Sequence, residues 1–73
     1  MDYILVTVSY GDDKEDDLKV PAFLPVGELI DLLNEIYSTN GRTLHAQPKG
    51  IILDKKKTLQ RQSIEHGAKL TLG

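Results

Sequence analysis

The sequence predicts a single α+β domain over residues 1–73, with a mixed sheet of four to five strands and one helix packed across one face of the sheet. Near both ends of the chain apolar residues alternate with polar ones, which is typical of strands buried on one face. A stretch in the middle carries apolar residues at helical spacing. The 11 leucines, 6 isoleucines and 4 valines can supply a core but leave few residues to line an enclosed active site, so we expect no enzyme.

A β-hairpin is predicted at the start of the chain. Residues 3–10 and 17–20 alternate with a period of two, and residues 11–16 between them are turn formers and charged residues. We therefore expect two strands joined by a long acidic loop. The residues expected to point into the core are Ile4, Val6, Val8, Leu18 and Val20.

One helix of about three turns is predicted in the middle of the chain. Pro25 is its expected N-cap, with Leu24 and Leu29 placed to form a hydrophobic staple. Asn40-Gly41 is expected to supply the left-handed residue that ends the helix. The predicted buried face consists of Val26, Leu29, Ile30, Leu33, Ile36 and Tyr37, with Leu32 at its edge.

The second half of the chain predicts short strands and turns. Residues 43–47 and 51–53 read as two short strands around a turn, residues 58–64 as a further turn, and residues 68–72 as the last strand. In the last strand Leu70 and Leu72 are expected to point inward. Three other apolar residues are expected to be partly buried at the rim of the core, namely Phe23 and the pair Ile51 and Ile52.

The predicted order of elements resembles the β-grasp fold of ubiquitin, and the resemblance covers residues 3–72. The stretch Leu18-Lys19-Val20-Pro21 looks like the exit of the second strand in ubiquitin-like folds. Near the C-terminus Thr58-Leu59, Ile64, Gly67 and Leu70-Thr71-Leu72 match the end of that fold. A narrower resemblance is to the YukD/EsaB family of small bacterial ubiquitin-like proteins, and it is carried by residues 17–26, DLKVPAFLPV.

This resemblance implies a ubiquitin-like β-grasp protein that serves as a cytoplasmic accessory or regulatory component of a type VII (WXG-family) secretion system in Gram-positive bacteria. Its partners would be protein components of that system. A first alternative is a ubiquitin-like modifier or sulfur carrier acting through Gly73, although a single glycine directly after the last strand departs from the di-glycine tail of ubiquitin. A second alternative is the cytosolic ubiquitin-like domain of a larger type VII membrane protein.

Composition argues against several other functions. Without cysteine the chain forms no disulfide and no thiolate metal site. His45 and His66 have no metal-ligand partner at neighbouring positions, so we predict no metal, no cofactor and no catalytic residue. A net charge of -2 argues against binding nucleic acid through bulk charge. The apolar run at residues 3–8 is too short to insert into a membrane.

The open face of the sheet, opposite the helix, is the predicted partner surface. Residues that alternate with the inward ones should lie on it. A solvated sheet face without a partner is an equally weighted alternative, because single exposed apolar residues are common. A homodimer that shares this face or an edge strand is compatible with the small core. The predicted protein-binding residues are Leu5, Thr7, His45, Gln47, Lys69 and Thr71, with Tyr3 beside them.

Overall fold

The computed structural model describes residues 2–73 and arranges their elements in the predicted order. In chain order they are β1 (Tyr3–Gly11), β2 (Lys14–Pro21), α1 (Val26–Tyr37), β3 (Leu44–Ala46), β4 (Ile51–Ile52), a 3₁₀ helix (Gln60–Gln62) and β5 (Ala68–Leu72). The strands form one mixed sheet in the order β2-β1-β5-β3-β4. β1 runs parallel to β5, while the other pairs are antiparallel. The predicted fold class is confirmed, with five strands.

The hydrophobic core lies between α1 and one face of the sheet. Its buried residues from the strands include Ile4, Val6, Val8, Val20, Leu44, Leu70 and Leu72, and those from α1 are Val26, Leu29, Ile30 and Leu33. Leu18 and Tyr37 are half-buried against this cluster. Within residues 2–73 no polar or charged residue is buried, so burial of apolar side chains is the main stabilising contribution.

The start of α1 is satisfied by backbone groups of a distant loop. Pro25 is the N-cap, as predicted, and no side chain caps the helix. The N–H groups of Val26 and Gly27 instead donate to the carbonyl oxygens of Lys57 and Lys55, at 2.9 and 3.0 Å. Two of the amides that a helix leaves free at its start are thereby paired. The loop of three lysines is consequently fixed against the helix.

The acidic segment after Gly11 is mostly strand, so the prediction of a long acidic loop was wrong. Only Asp12 and Asp13 form the turn, with Asp13 at a φ of 57°, and β2 begins at Lys14. The first four residues of β2 are all exposed. They show no alternation because no core lies beneath them, yet their backbone still pairs with β1. Backbone pairing does not depend on side-chain polarity, and the sequence pattern therefore missed it.

The end of α1 also differs from its prediction. The left-handed residue is Ser38, with a φ of 55°, and not Asn40-Gly41. Gly41 is needed for a different reason, because a Cβ atom at this position would lie 2.6 Å from the side chain of Leu72. The Asn34 side chain holds Gly41 in place: its Oδ1 accepts from the Gly41 N–H and its Nδ2 donates to the Gly41 carbonyl, both at 2.8 Å.

Four apolar residues expected to be buried, wholly or in part, are exposed. Ile36, predicted on the buried face of α1, is 54% exposed. At about 100° per residue it is turned roughly 70° from the centre of the buried stripe. Phe23 is 68% exposed, and Ile51 and Ile52 are exposed as well because β4 is a two-residue edge strand. The expectation that these three lie partly buried at the core rim was wrong.

Candidate partner surface on the open sheet face

The predicted binding residues come from three different strands, and pairing across the sheet makes them neighbours. Thr7 is opposite Lys69 in the β1–β5 pair, and Thr71 is opposite His45 in the β3–β5 pair. Gln47 lies one residue beyond β3, where its N–H donates to the Lys69 carbonyl at 2.9 Å. Side chains alternate between the two faces along each strand. The residues that lie between the predicted ones point into the core, so the predicted residues share the face opposite α1.

Hydrogen bonds between side chains order the polar part of this face. The Thr7 hydroxyl donates to Oδ1 of Asp17 at 2.6 Å. Gln47 Nε2 donates to the Thr71 hydroxyl at 3.0 Å, and the Thr43 hydroxyl lies 2.8 Å from His45 Nε2. The rotamers of these side chains are therefore restrained before any partner binds, which lowers the entropy cost of association. Lys69, which lies between Thr7 and Gln47 across the sheet, remains exposed.

An open depression of about 420 Å³ lies beside these polar residues. Its lining includes Leu5, Thr7, Asp17, Lys19 and Gly67. The Leu5 side chain is 51% exposed. Such a concave site with an aliphatic side chain and a polar rim can accept one apolar side chain of a partner.

His66 has a structural role that the sequence pattern did not predict. Its side chain is exposed, but its Nδ1 accepts a hydrogen bond from the Leu5 N–H at 3.0 Å. The Leu5 carbonyl accepts from the Gly67 N–H at 2.8 Å. Gly67 has a φ of 85°, a conformation that favours glycine. This sequence has a glycine immediately after a histidine, a local signal of a turn that can aim the ring back at β1.

Tyr37, the last residue of α1, contacts the hairpin formed by β1 and β2. Its ring stacks on Tyr10 with centroids 3.9 Å apart, and its hydroxyl donates to Oδ2 of Asp16 at 3.2 Å. Burial, with a further contribution from the hydrogen bond to Asp16 and the charge of that carboxylate, raises the pKa of Tyr37 to about 12. This contact stabilises the hairpin against the helix rather than forming part of the open face.

The backbone of Gly73 is paired with the segment before β3. Its carbonyl oxygen accepts from the N–H groups of Arg42 and Thr43, at 2.7 and 3.0 Å. Its own N–H donates to the Thr43 carbonyl at 3.0 Å. A reaction at Gly73 that requires an extended, accessible backbone would first have to break these bonds.

The described residues contain no group of three or more metal-ligating side chains that could hold an ion. Over the same range, no helix combines the length and the hydropathy that crossing a bilayer requires.

Comparison with known proteins gives one family match, described as "WXG100 protein secretion system (Wss), protein YukD", over residues 3–72. No curated protein sequence matches the chain significantly. Among solved structures, the chain is similar to the EccD5 ubiquitin-like domain of Mycobacterium xenopi, with a TM-score of 0.83 and 20% identity over 97% of this chain and 92% of that one.

Two further structures show the same fold. A chain of the "MycP5-free ESX-5 inner membrane complex" gives a TM-score of 0.87 at 19% identity, over 100% of this chain but only 21% of that chain. The ubiquitin of Caldiarchaeum subterraneum gives a TM-score of 0.76 at 19% identity, over 96% of this chain and 90% of that one. The predicted ubiquitin-like β-grasp is confirmed.

Proposed function

The chain belongs to the YukD family of the WXG100 protein secretion system, and on that premise we propose that it is a non-enzymatic accessory or regulatory component of type VII secretion. It acts in the cytoplasm by contact with other protein components of the system. The open sheet face is the contact surface. The family match ties the chain to the secretion system, and the geometry of the face supports a binding role.

The observation that supports this proposal best is the combination of restrained polar groups with an apolar depression on one face. Hydrogen bonds hold the side chains of Thr7, Gln47 and His45, while Leu5 stays half-exposed beside them. A binding surface gains affinity from such pre-ordering, because less side-chain entropy is lost on association. Lys69 at its centre would set the orientation of a partner through its charge.

A second candidate is that the chain works as the cytosolic ubiquitin-like domain of a larger type VII membrane protein. The similarity to the EccD5 ubiquitin-like domain and to one-fifth of a chain in the ESX-5 inner membrane complex favours it. The modifier or sulfur-carrier alternative has less support, because Gly73 is hydrogen-bonded to Arg42 and Thr43. Mass spectrometry of the native protein distinguishes this alternative from a contact role, since a modifier or sulfur carrier would carry an adduct or thiocarboxylate at Gly73.

Site-specific photo-crosslinking in the bacterium that encodes the chain tests the proposal. A photoreactive residue at Lys69, on the open face, should crosslink to a component of the type VII system. The same residue at Glu28, exposed on α1, is the matched control and should not crosslink to that component. A Leu5→Asp variant that folds should lower the crosslink yield and the export of WXG100 substrates. Equal crosslinking from both positions, or an unaffected Leu5→Asp variant, would contradict the open face as the contact surface.

A further inference from the structure

The outer edge of β2 is the longer of the two edges of the described sheet. β2 has eight residues and is the first strand in the sheet order, so within residues 2–73 only β1 pairs with it. The Ala22 N–H donates to the Asp2 carbonyl at 3.0 Å, toward β1. Because backbone groups alternate in an antiparallel pair, Glu15, Asp17 and Lys19 direct their N–H and C=O groups away from β1. Three residues can therefore pair with a further strand.

On the face of the sheet that α1 covers, one flank of the helix carries exposed apolar side chains. Gly27 and Asn34 lie on one flank of α1, and they contact Lys55 and Gly41, which belong to the loops next to β4 and β3. At about 100° per residue the opposite flank carries Leu32 and Ile36. Both are exposed.

Since the Gly27 and Asn34 flank of α1 contacts the loops next to β4 and β3, the flank with Leu32 and Ile36 is on the β2 side of the helix. Tyr37, at the end of α1, reaches β2 by donating to Asp16. Ile36 is turned about 100° from Tyr37, away from the Asn34 flank, and its side chain is exposed. Leu18 is half-buried on the same side of β2. We call Leu18, Leu32 and Ile36, the apolar residues on the β2 side of the helix face of the sheet, the apolar shelf.

Charge is divided between the two edges of the sheet. Residues 1–37 contain nine acidic residues and two lysines, a net charge of -7, whereas residues 38–73 contain seven basic and two acidic residues, a net charge of +5. The acidic half holds β2 and α1, and the basic half holds β3, β4 and β5. On β2 the side chains of Glu15 and Asp17 point to the open face, since those of Leu18 and Val20 point to the core. A strand added to β2 would meet these two carboxylates on that face, with the Lys19 side chain beyond them near the Tyr3 ring.

We propose that the free edge of β2 binds an extended segment of a partner protein in which lysine or arginine alternates with aliphatic residues. The segment pairs with the backbone of Glu15, Asp17 and Lys19 as a sixth strand. Its basic side chains lie opposite Glu15 and Asp17 on the open face, and its aliphatic side chains pack on the apolar shelf. An acidic segment is excluded by repulsion from this half of the molecule. The opposite edge, β4, offers only two residues.

Amide and methyl NMR spectra of the full chain, titrated with a short synthetic peptide of alternating lysine and valine, test this inference. The amide signals of Glu15, Asp17 and Lys19 and the methyl signals of Leu32 and Ile36 should shift with saturation. A peptide of alternating glutamate and valine should produce no shifts. A peptide of alternating lysine and serine should bind about tenfold more weakly, because it has the charge but not the aliphatic side chains.

Two pairs of variants separate backbone pairing from apolar contact. Lys19→Pro removes an outward N–H, and Lys19→Ala is its control with the N–H retained, so only the proline variant should lose most of the affinity. Ile36→Ser should weaken binding of the lysine-valine peptide about tenfold. Ile52→Ser, at a similarly exposed isoleucine on the opposite edge (63% exposed), should leave it unchanged. Thermal unfolding of each variant confirms that it folds.

Several outcomes would overturn the proposal. One is equal binding of the lysine-serine peptide, and another is equal affinity of the Ile36→Ser and Ile52→Ser variants. Signal shifts confined to Gln47 and Thr71 would place the peptide on the open face instead. Shifts of the β2 amides with protein concentration alone would assign the edge to a second copy of this chain. The absence of any saturable shift would also reject the inference. None of these results decides the type VII role, which the crosslinking experiment tests separately.

Discussion

The imidazole of His66 accepts a hydrogen bond from the backbone N–H of Leu5 at 3.0 Å, although the two residues are 61 positions apart. Ladder pairing of β1 with β5 begins one residue later, at Val6 and Ala68. A side chain thus supplies the acceptor that a longer β5 would have provided. Since Nδ1 is the acceptor, the neutral ring must carry its proton on Nε2.

Replacing His66 with alanine should destabilise the fold by about 1 kcal/mol, because the Leu5 N–H loses its acceptor. Urea unfolding measures this change, and faster hydrogen exchange of the Leu5 amide locates it. His45→Ala is the control, since the His45 ring contacts the Thr43 hydroxyl and no backbone amide. An unchanged exchange rate at Leu5 in the His66→Ala variant would show that the bond does not form in solution.

Stability at alkaline pH should depend on Tyr37. The folded chain raises the pKa of Tyr37 from 10.0 to about 12, so the folded state holds this proton more tightly than the unfolded state does. The stability from this group is therefore complete below pH 10 and is lost as the pH rises to about 12. Chemical unfolding of the wild type and of Tyr37→Phe across this range measures it. The prediction would be contradicted if the difference in unfolding free energy between the wild type and Tyr37→Phe stayed constant from pH 9 to about pH 12.

Gly41→Ala should destabilise the protein by roughly 1–3 kcal/mol. The added Cβ atom would lie 2.6 Å from the Leu72 side chain, and Leu72 is packed in the core. Gly11→Ala serves as the control, because its Cβ atom would meet only the flexible Lys14 side chain, at 3.3 Å. We expect that change to cost less than about 0.5 kcal/mol. Thermal unfolding compares the two variants, and equal losses would argue against the close approach of Gly41 to Leu72.

Two leucines of opposite exposure should respond differently to truncation. Leu33→Ala removes a fully buried side chain of α1 and should cost about 2–5 kcal/mol. Leu5→Ala removes a half-exposed side chain on the open face and should cost less than about 1 kcal/mol. Denaturant unfolding at equilibrium measures both values. A large loss for Leu5→Ala would mean that Leu5 contributes to the core rather than to a partner surface.

Much of the fold could be predicted because each buried element shows its own periodicity. The alternation of Ile4, Val6 and Val8 located β1 and its inward face, and the spacing of Leu29 and Leu33 located α1. The predicted binding residues share one face, as the pleat requires. Whether that face binds a partner stays a prediction.

The acidic start of β2 shows where periodicity stops being informative. Residues 14–17 have no core beneath them, so their side chains carry no burial pattern, and only pairing with β1 defines the strand. The exposed Ile36 shows the converse, because an apolar residue at helical spacing can still lie too far from the centre of the buried stripe to be covered.

The sequence by itself determined the α+β class, the order of strands and helix, the inward residues of the strands, and the resemblance to the YukD family. The tertiary structure alone decided which distant groups meet: His66 with Leu5, Tyr37 with Asp16, Gly41 with Leu72, and the lysine loop with the start of α1. The reason is that periodicity records how each segment is buried, whereas a hydrogen bond or close contact between distant segments depends on strand register and helix placement, which no local pattern encodes.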